Sequence, residues 1–321
     1  MSTKGFRVAS ILFVLVIVLL TLPSMVKIPY YLHLTVLALI WVVVAQGQNL
    51  IQGYTGYVSI AQGGFMGIGA YCSALLSVKL GWTVWLTLSL SPILTGIFAI
   101  LVGYPSLRVK GHYFAIVTLA FNMVIYIVLF NFRTLTGGEA GFTDIPRPGE
   151  FAVGAFNFSS LPSYYYLAVA AAITATVFCW LLVHSRVGRN LIAIRQNEAL
   201  AEAIGIATWR YKLFAFVVSA ALAGFAGGLY AHFIRFINPD TFTVAQSLNA
   251  ILAVILGGSG TLAGPIVGSF VVVFLPEYLR IADFFRLIVY GFILILATIF
   301  MPRGIVSVVE RLGRGAQRYF K

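Results

Sequence analysis

Residues 185–212 read SRVGRNLIAIRQNEALAEAIGIATWRYK, a polar, charge-bearing segment between two apolar runs of membrane-spanning length. Its local signals describe a short helix with defined ends: Asn197 is placed to cap the start and Gly205 to sit just past the end. Between them Ala199, Leu200, Ala203 and Ile204 repeat with helical spacing on one face, while Glu198 and Glu202 stand one turn apart on the other. Like charges at that spacing cost an isolated helix roughly 0.2–0.5 kcal/mol, so a self-contained helix gains nothing from them. A basic partner surface would use both, and an outward acidic face is the expectation. Composition alone offers a second reading, a solvated connector whose arginines mark the inner side of a membrane.

The flanking runs set the fold class. Of 321 residues, 60% are hydrophobic and 9% charged, and the mean hydropathy is +0.98. That lies far outside soluble globular composition and predicts an all-α, polytopic membrane protein. The formal charge of +12 does not imply a nucleic-acid partner, because the basic residues flank apolar runs instead of gathering on one face. Cys72 and Cys179 fall inside apolar segments and read as packing residues. His33, His112, His184 and His232 are isolated, with no ligand spacing, so neither metal nor cofactor is expected. There is no phosphate loop and no nucleophile paired with a base, so no ATP chemistry or enzymatic activity is expected of the chain.

In chain order, Lys4 and Arg7 precede an apolar run from Val8 to Leu22 that lacks a small-residue cleavage pattern. An uncleaved first span entering from the cytoplasm is expected. A second span, from about Leu32 to Leu50, has the roughly 20 residues a bilayer core requires. The stretch from Gln46 to Tyr71 then carries Gln46, Gln48, Asn49, Gln52, Tyr54, Thr55, Ser59 and Gln62 among glycines, with no charge. Two compatible readings apply: a broken helix beside a pathway, or close packing through Gly63-x-x-x-Gly67. Further spans are expected at about Trp82 to Tyr104, Tyr113 to Phe130, Tyr164 to His184 and Leu213 to Ile234, with 131–163 as an outer loop of near-balanced charge. The run from Val244 to Leu275 is too long for one crossing. It is broken at Gly257-Gly258-Ser259-Gly260-Thr261-Leu262-Ala263-Gly264-Pro265, a hinge between half-helices or a turn between short spans. A last span is placed from about Leu287 to Met301. This arrangement puts 14 lysines and arginines on the side of residues 185–212 and seven on the other, which assigns that segment to the cytoplasm with about ten crossings, eight or nine as the fallback. Gln62, Gly63, Gly64, Gly67, Asn122, Gly257, Gly258 and Gly260 are the candidate path or hinge positions.

Glu198-Ala199-Leu200, followed by Gly205 and flanked by Arg195 and Asn197, resembles the Glu-Ala-Ala loop of permease subunits of ATP-driven importers. Leu200 stands for the second Ala, and Gly205 lies one residue later than the generic pattern. Arg108-Val109-Lys110-Gly111-His112-Tyr113-Phe114-Ala115-Ile116-Val117-Thr118-Leu119 and Thr136-Gly137-Gly138-Glu139-Ala140-Gly141-Phe142 resemble segments of the M-type permease subunit of branched-chain amino acid importers. With Arg186-Val187-Gly188-Arg189 and the block from Asn197 to Ile206, the resemblance covers nearly the whole chain. It implies a single permease domain over residues 1–321 in a bacterial inner membrane. Within it, 185–212 would be the cytoplasmic coupling loop that docks on an ATPase, with Arg195, Asn197, Glu198, Glu202 and Gly205 as coupling residues. The implied partners are two cytoplasmic ATP-binding subunits, a second related permease subunit and an extracytoplasmic substrate-binding protein. The implied solute is a branched-chain amino acid, with urea or a short amide as the alternative within the family. An ion-coupled secondary transporter is disfavoured, because it places ionisable residues inside its spans and these spans are almost free of them.

Overall fold

The computed structural model describes residues 28–109, 111–149 and 158–279, with a few isolated positions beyond them. Among the described residues the protein is helical, without strands; a single antiparallel bridge joins Phe142 to Ile237. The principal helices are α1 (Pro29–Thr55), α2 (Gln62–Lys79), α3 (Val84–Ser106), α4 (His112–Asn131), α5 (Leu161–His184), α6 (Arg186–Gln196), α7 (Glu198–Ala203), α8 (Thr208–Ile234), α9 (Val244–Gly257) and α10 (Ala263–Tyr278).

The centre of the bundle is α1. It opens on a proline, whose missing N–H costs nothing in a first turn. It closes at Gly56, whose left-handed φ of 81° turns its N–H back to the Ile51 carbonyl. Every residue from Val42 to Thr55 is buried, so the polar row Gln46, Gln48, Asn49 and Gln52 is enclosed by protein. Alongside it, α8 packs on α1, α2 and α3 through small residues. A Cβ on Gly227 would collide with the Met66 carbonyl of α2, and one on Gly224 with Thr95 of α3.

The periphery has the opposite character. On α4 only Phe114, Thr118, Asn122 and Leu129 are buried, a single inward stripe. Tyr113, Ile116, Met123, Val124, Ile127 and Val128 face outward, and α3 and α5 present similar apolar faces. Exposed apolar surface on this scale, around backbone satisfied within helices, belongs in lipid. The protein is a multi-pass membrane protein.

Among the described residues six helices are long and apolar enough to cross a membrane: α1, α3, α4, α5, α8 and the segment Pro239–Gly257, which takes in α9. α10 is apolar but shorter. α2 has 18 residues and is not among the six. The expected first span, Val8 to Leu22, lies outside the described residues, as does nearly all of the last, Leu287 to Met301. The described residues therefore hold six candidates, by length and hydropathy, for the ten expected crossings.

At one end of the bundle, the loop after α4 is tied down by the last turn of α8. His232 places Nδ1 2.6 Å from the Pro146 carbonyl oxygen and Nε2 2.8 Å from Ser73 Oγ. Arg235 Nε donates to the Ile145 carbonyl at 3.3 Å. At the other end the glycine-rich stretch after α9 is a turn leading into a second short helix, α10. α9 and α10 pack antiparallel, so closely that a Cβ on Gly257 would collide with the Gly264 carbonyl and one on Gly268 with that of Ala253.

Candidate functional site

Both ends of α7 form as its sequence dictates. Asn197 Oδ1 accepts from the Leu200 N–H at 3.0 Å. At the other end the Gly205 N–H returns to the Glu202 carbonyl and the Ile206 N–H to that of Ala201, both at 3.0 Å. This six-to-one closure needs a left-handed residue, and Gly205 supplies it at φ 87°. The preceding helix, α6, is capped by Ser185, whose Oγ accepts from the Val187 and Gly188 N–H groups. It buries Leu191 and Ile194. The segment thus contains two helices where the sequence predicts one. A third, α8, begins at Thr208 and not near Leu213, so residues 208–212 belong to it and not to the loop.

At Glu198 the orientation of α7 corrects the expectation of an outward acidic face; Glu202 remains exposed. Glu198 Oε1 pairs with Lys212 Nζ at 2.6 Å, and its Oε2 accepts from the Tyr57 hydroxyl at 2.5 Å. Lys212 also donates to the Tyr57 oxygen at 3.2 Å and stands 4.6 Å from that ring's centroid. Lys212 is 2% exposed and the Glu198 side chain 18%. An ammonium in the second turn of a buried helix is tolerable only beside a counter-charge, and Glu198 supplies it. Burial, and then the bond to Glu198, push the Tyr57 phenol well above its ordinary pKa, so it stays protonated and donates. Glu202 stays exposed and accepts from Thr208 Oγ1 at 2.7 Å. Outward-facing as well are Leu200, 61% exposed, and Ile204, 69% exposed.

Arg195, exposed over much of its length, donates from its guanidinium to the Gly53 carbonyl in the last turn of α1. Beside it Asn49 bridges α1 to the glycine-rich turn, accepting from the Gly260 N–H at 2.9 Å and donating to the Thr261 carbonyl at 2.8 Å. Gln46 adds a bond to the Leu262 carbonyl at 2.9 Å. Gly257 and Gly258 lie in the same turn, Gly258 against the backbone of Gly304. The two glycine-rich interruptions, distant in sequence, therefore meet at the foot of the loop carrying α7.

The remaining candidates cluster where α2 begins. Gln62 Nε2 donates to Ser219 Oγ of α8 at 2.6 Å, the Gly63 N–H to Ser247 Oγ of α9 at 2.8 Å, and the Gly64 N–H to Asn122 Oδ1 of α4. Gly63 and Gly67 sit tightly against Thr243 and Phe242, so the packing reading describes them. Gln46, Gln48 and Gln62 each bury a carboxamide oxygen, and Asn122 its amide nitrogen, without a hydrogen-bond partner. Orphaned amide atoms of that kind are costly in a packed interior and mark polar positions along the bundle axis.

Sequence reasoning missed Tyr57, Lys212 and Thr208. The available signal was a lysine at the edge of an apolar run, which the positive-inside rule accounts for equally well. Among the described residues no group of three or more His, Cys, Asp or Glu is placed to hold a metal ion.

Comparison with known proteins agrees with this architecture. A family model described as branched-chain amino acid transport system, permease component, matches residues 30–298. The chain is 32% identical over 305 residues to the high-affinity branched-chain amino acid transport system permease protein LivM of Escherichia coli (strain K12), covering 88% of this chain and 72% of that one. It is 28% identical to LivH of Salmonella typhimurium over 83% of this chain and 91% of the relative. It is 22% identical to the ribose import permease protein RbsC of Haemophilus influenzae over 93% and 96%. No solved structure matches it. A family match running through almost every described helix, with a relative at 32% identity, leads to one conclusion: the chain belongs to the permease-component family of branched-chain amino acid transport systems.

Proposed function

We propose that this chain is the translocating subunit of an ATP-driven importer in a bacterial inner membrane, moving leucine, isoleucine or valine delivered by an extracytoplasmic binding protein. Two cytoplasmic ATP-binding subunits and a second, related permease subunit complete the assembly, in keeping with the separate LivM and LivH relatives. α2, α10 and the apolar runs at both ends of the chain join the six apolar spans to make about ten crossings. Residues 185–207 form the cytoplasmic coupling loop and 131–163 the extracytoplasmic one.

The observation that carries this reading is α7 itself. It is capped at both ends, seated on the core by Glu198, and presents Leu200 and Ile204 outward. An apolar ridge on a rigid base suits a groove on an ATPase better than it suits water. ATP binding there displaces α7, and the bundle rocks about its tight small-residue contacts to open the axial polar row.

The buried polar groups along that row are uncharged carboxamides, which serve an amino acid or a neutral amide alike. The test is uptake into proteoliposomes holding the full complex, its binding protein and ATP. Leucine accumulates and urea does not if the amino-acid reading holds; urea accumulation without leucine establishes the alternative.

A further inference from the structure

The acidic face of α7 engages the non-helical link between α1 and α2, residues 56–61, through Tyr57. Glu198 holds both Tyr57 and Lys212, and Lys212 closes the triangle onto the Tyr57 oxygen. On its other side the Tyr57 ring meets Phe114 edge-on at 5.4 Å. Phe114 meets Phe216 at 5.7 Å, and Phe216 meets Phe65 at 5.4 Å. Tyr57 is therefore wedged between α7 and an aromatic stack drawn from α2, α4 and α8. Three residues further on, the Ile60 N–H donates to Thr118 of α4 at 3.0 Å. Then come Gln62, Gly63 and Gly64, bonded to α8, α9 and α4. The second tie, Arg195 to Gly53, grips the chain just ahead of the same link.

A close-packed, hydrogen-bonded path of this kind passes a displacement on, where a flexible loop absorbs it. We propose that Glu198, Lys212 and Tyr57 form a buried lock that transmits movement of α7 to the 56–61 link and so to the start of α2. Tyr57 and Lys212 are then positioning residues of transport. The proposal rests on α7 being the coupling helix. It adds where the motion enters the bundle: at one tyrosine, in the break between two helices.

Two variants of the full complex, reconstituted with its ATPase subunits and binding protein, test it. Glu198→Gln with Lys212→Met removes both charges together and leaves none orphaned; Tyr57→Phe removes one oxygen atom. The quantities read are ATPase recovered with the permease and solute taken up per ATP hydrolysed. The ATPase stays bound and hydrolysis continues, while uptake per ATP falls about tenfold in the double variant, within the usual range of coupling between sites, and by a smaller factor in Tyr57→Phe. Unchanged uptake per ATP in both variants overturns the proposal. So does loss of the ATPase along with uptake, because the three residues would then only hold the docking shape. A wild-type permease that binds no ATPase contradicts the coupling reading instead, and that result is distinct from either.

Discussion

Lys212 shows how one residue changes the meaning of its neighbours. As a topological charge it would be solvated; in the structure it is 2% exposed and held by Glu198 and Tyr57. Removing one member of such a pair strands the other, at a cost of about 3–5 kcal/mol, whereas removing both is close to neutral. Lys212→Met is therefore expected to lower the melting temperature of the purified permease clearly, and Lys212→Met with Glu198→Gln to recover most of the loss. Equal melting temperatures for wild type and the single variant would show that the pair carries no stability. The same geometry explains why Glu198 and Glu202 need no outside cation. Each acid already has a donor within the chain, at Lys212 and Tyr57 for one and Thr208 for the other.

At the level of the element, much was legible before any coordinates. The caps of α7 at Asn197 and Gly205 follow from side-chain chemistry and backbone sterics, which act over a few residues and leave their mark in the sequence. The apolar runs likewise give α3, α4 and α5 to within a few residues, because length and hydropathy are local quantities. What could not be read was which face of α7 turns inward. Its Ala-Leu-Ala-Ile stripe and its acidic stripe are both regular, and the inward turn of Glu198 is decided by Lys212 and Tyr57, 14 and 141 residues away. The same holds for the glycine-rich stretches. The sequence left open a hinge between half-helices or a turn between short spans at Gly257 to Pro265, and the close contact of Gly257 with Gly264 shows how tightly the two flanking helices meet there. That this turn meets Gly53 and Arg195 is a tertiary fact with no local trace.

On the scale of the whole molecule, the two ends of the bundle are chemically distinct, and sidedness can be measured. In a Cys72→Ala, Cys179→Ala background, Ala140→Cys and Ala203→Cys both place a thiol at exposed positions, whereas Thr208 is buried and would report only burial. An impermeant thiol reagent outside intact cells is expected to label Ala140→Cys and spare Ala203→Cys; the reverse pattern would invert the topology. If α7 is seated by Glu198 and docks by its apolar ridge, the direct test leaves the seat alone and spoils the ridge. Leu200→Asp with Ile204→Asp alters two side chains that are 61% and 69% exposed, and should leave the membrane bundle folded. The measurement is recovery of the ATPase subunit when the permease is purified from detergent. The account predicts a stable permease that has lost its ATPase, and recovery equal to that of the unmodified chain would contradict it.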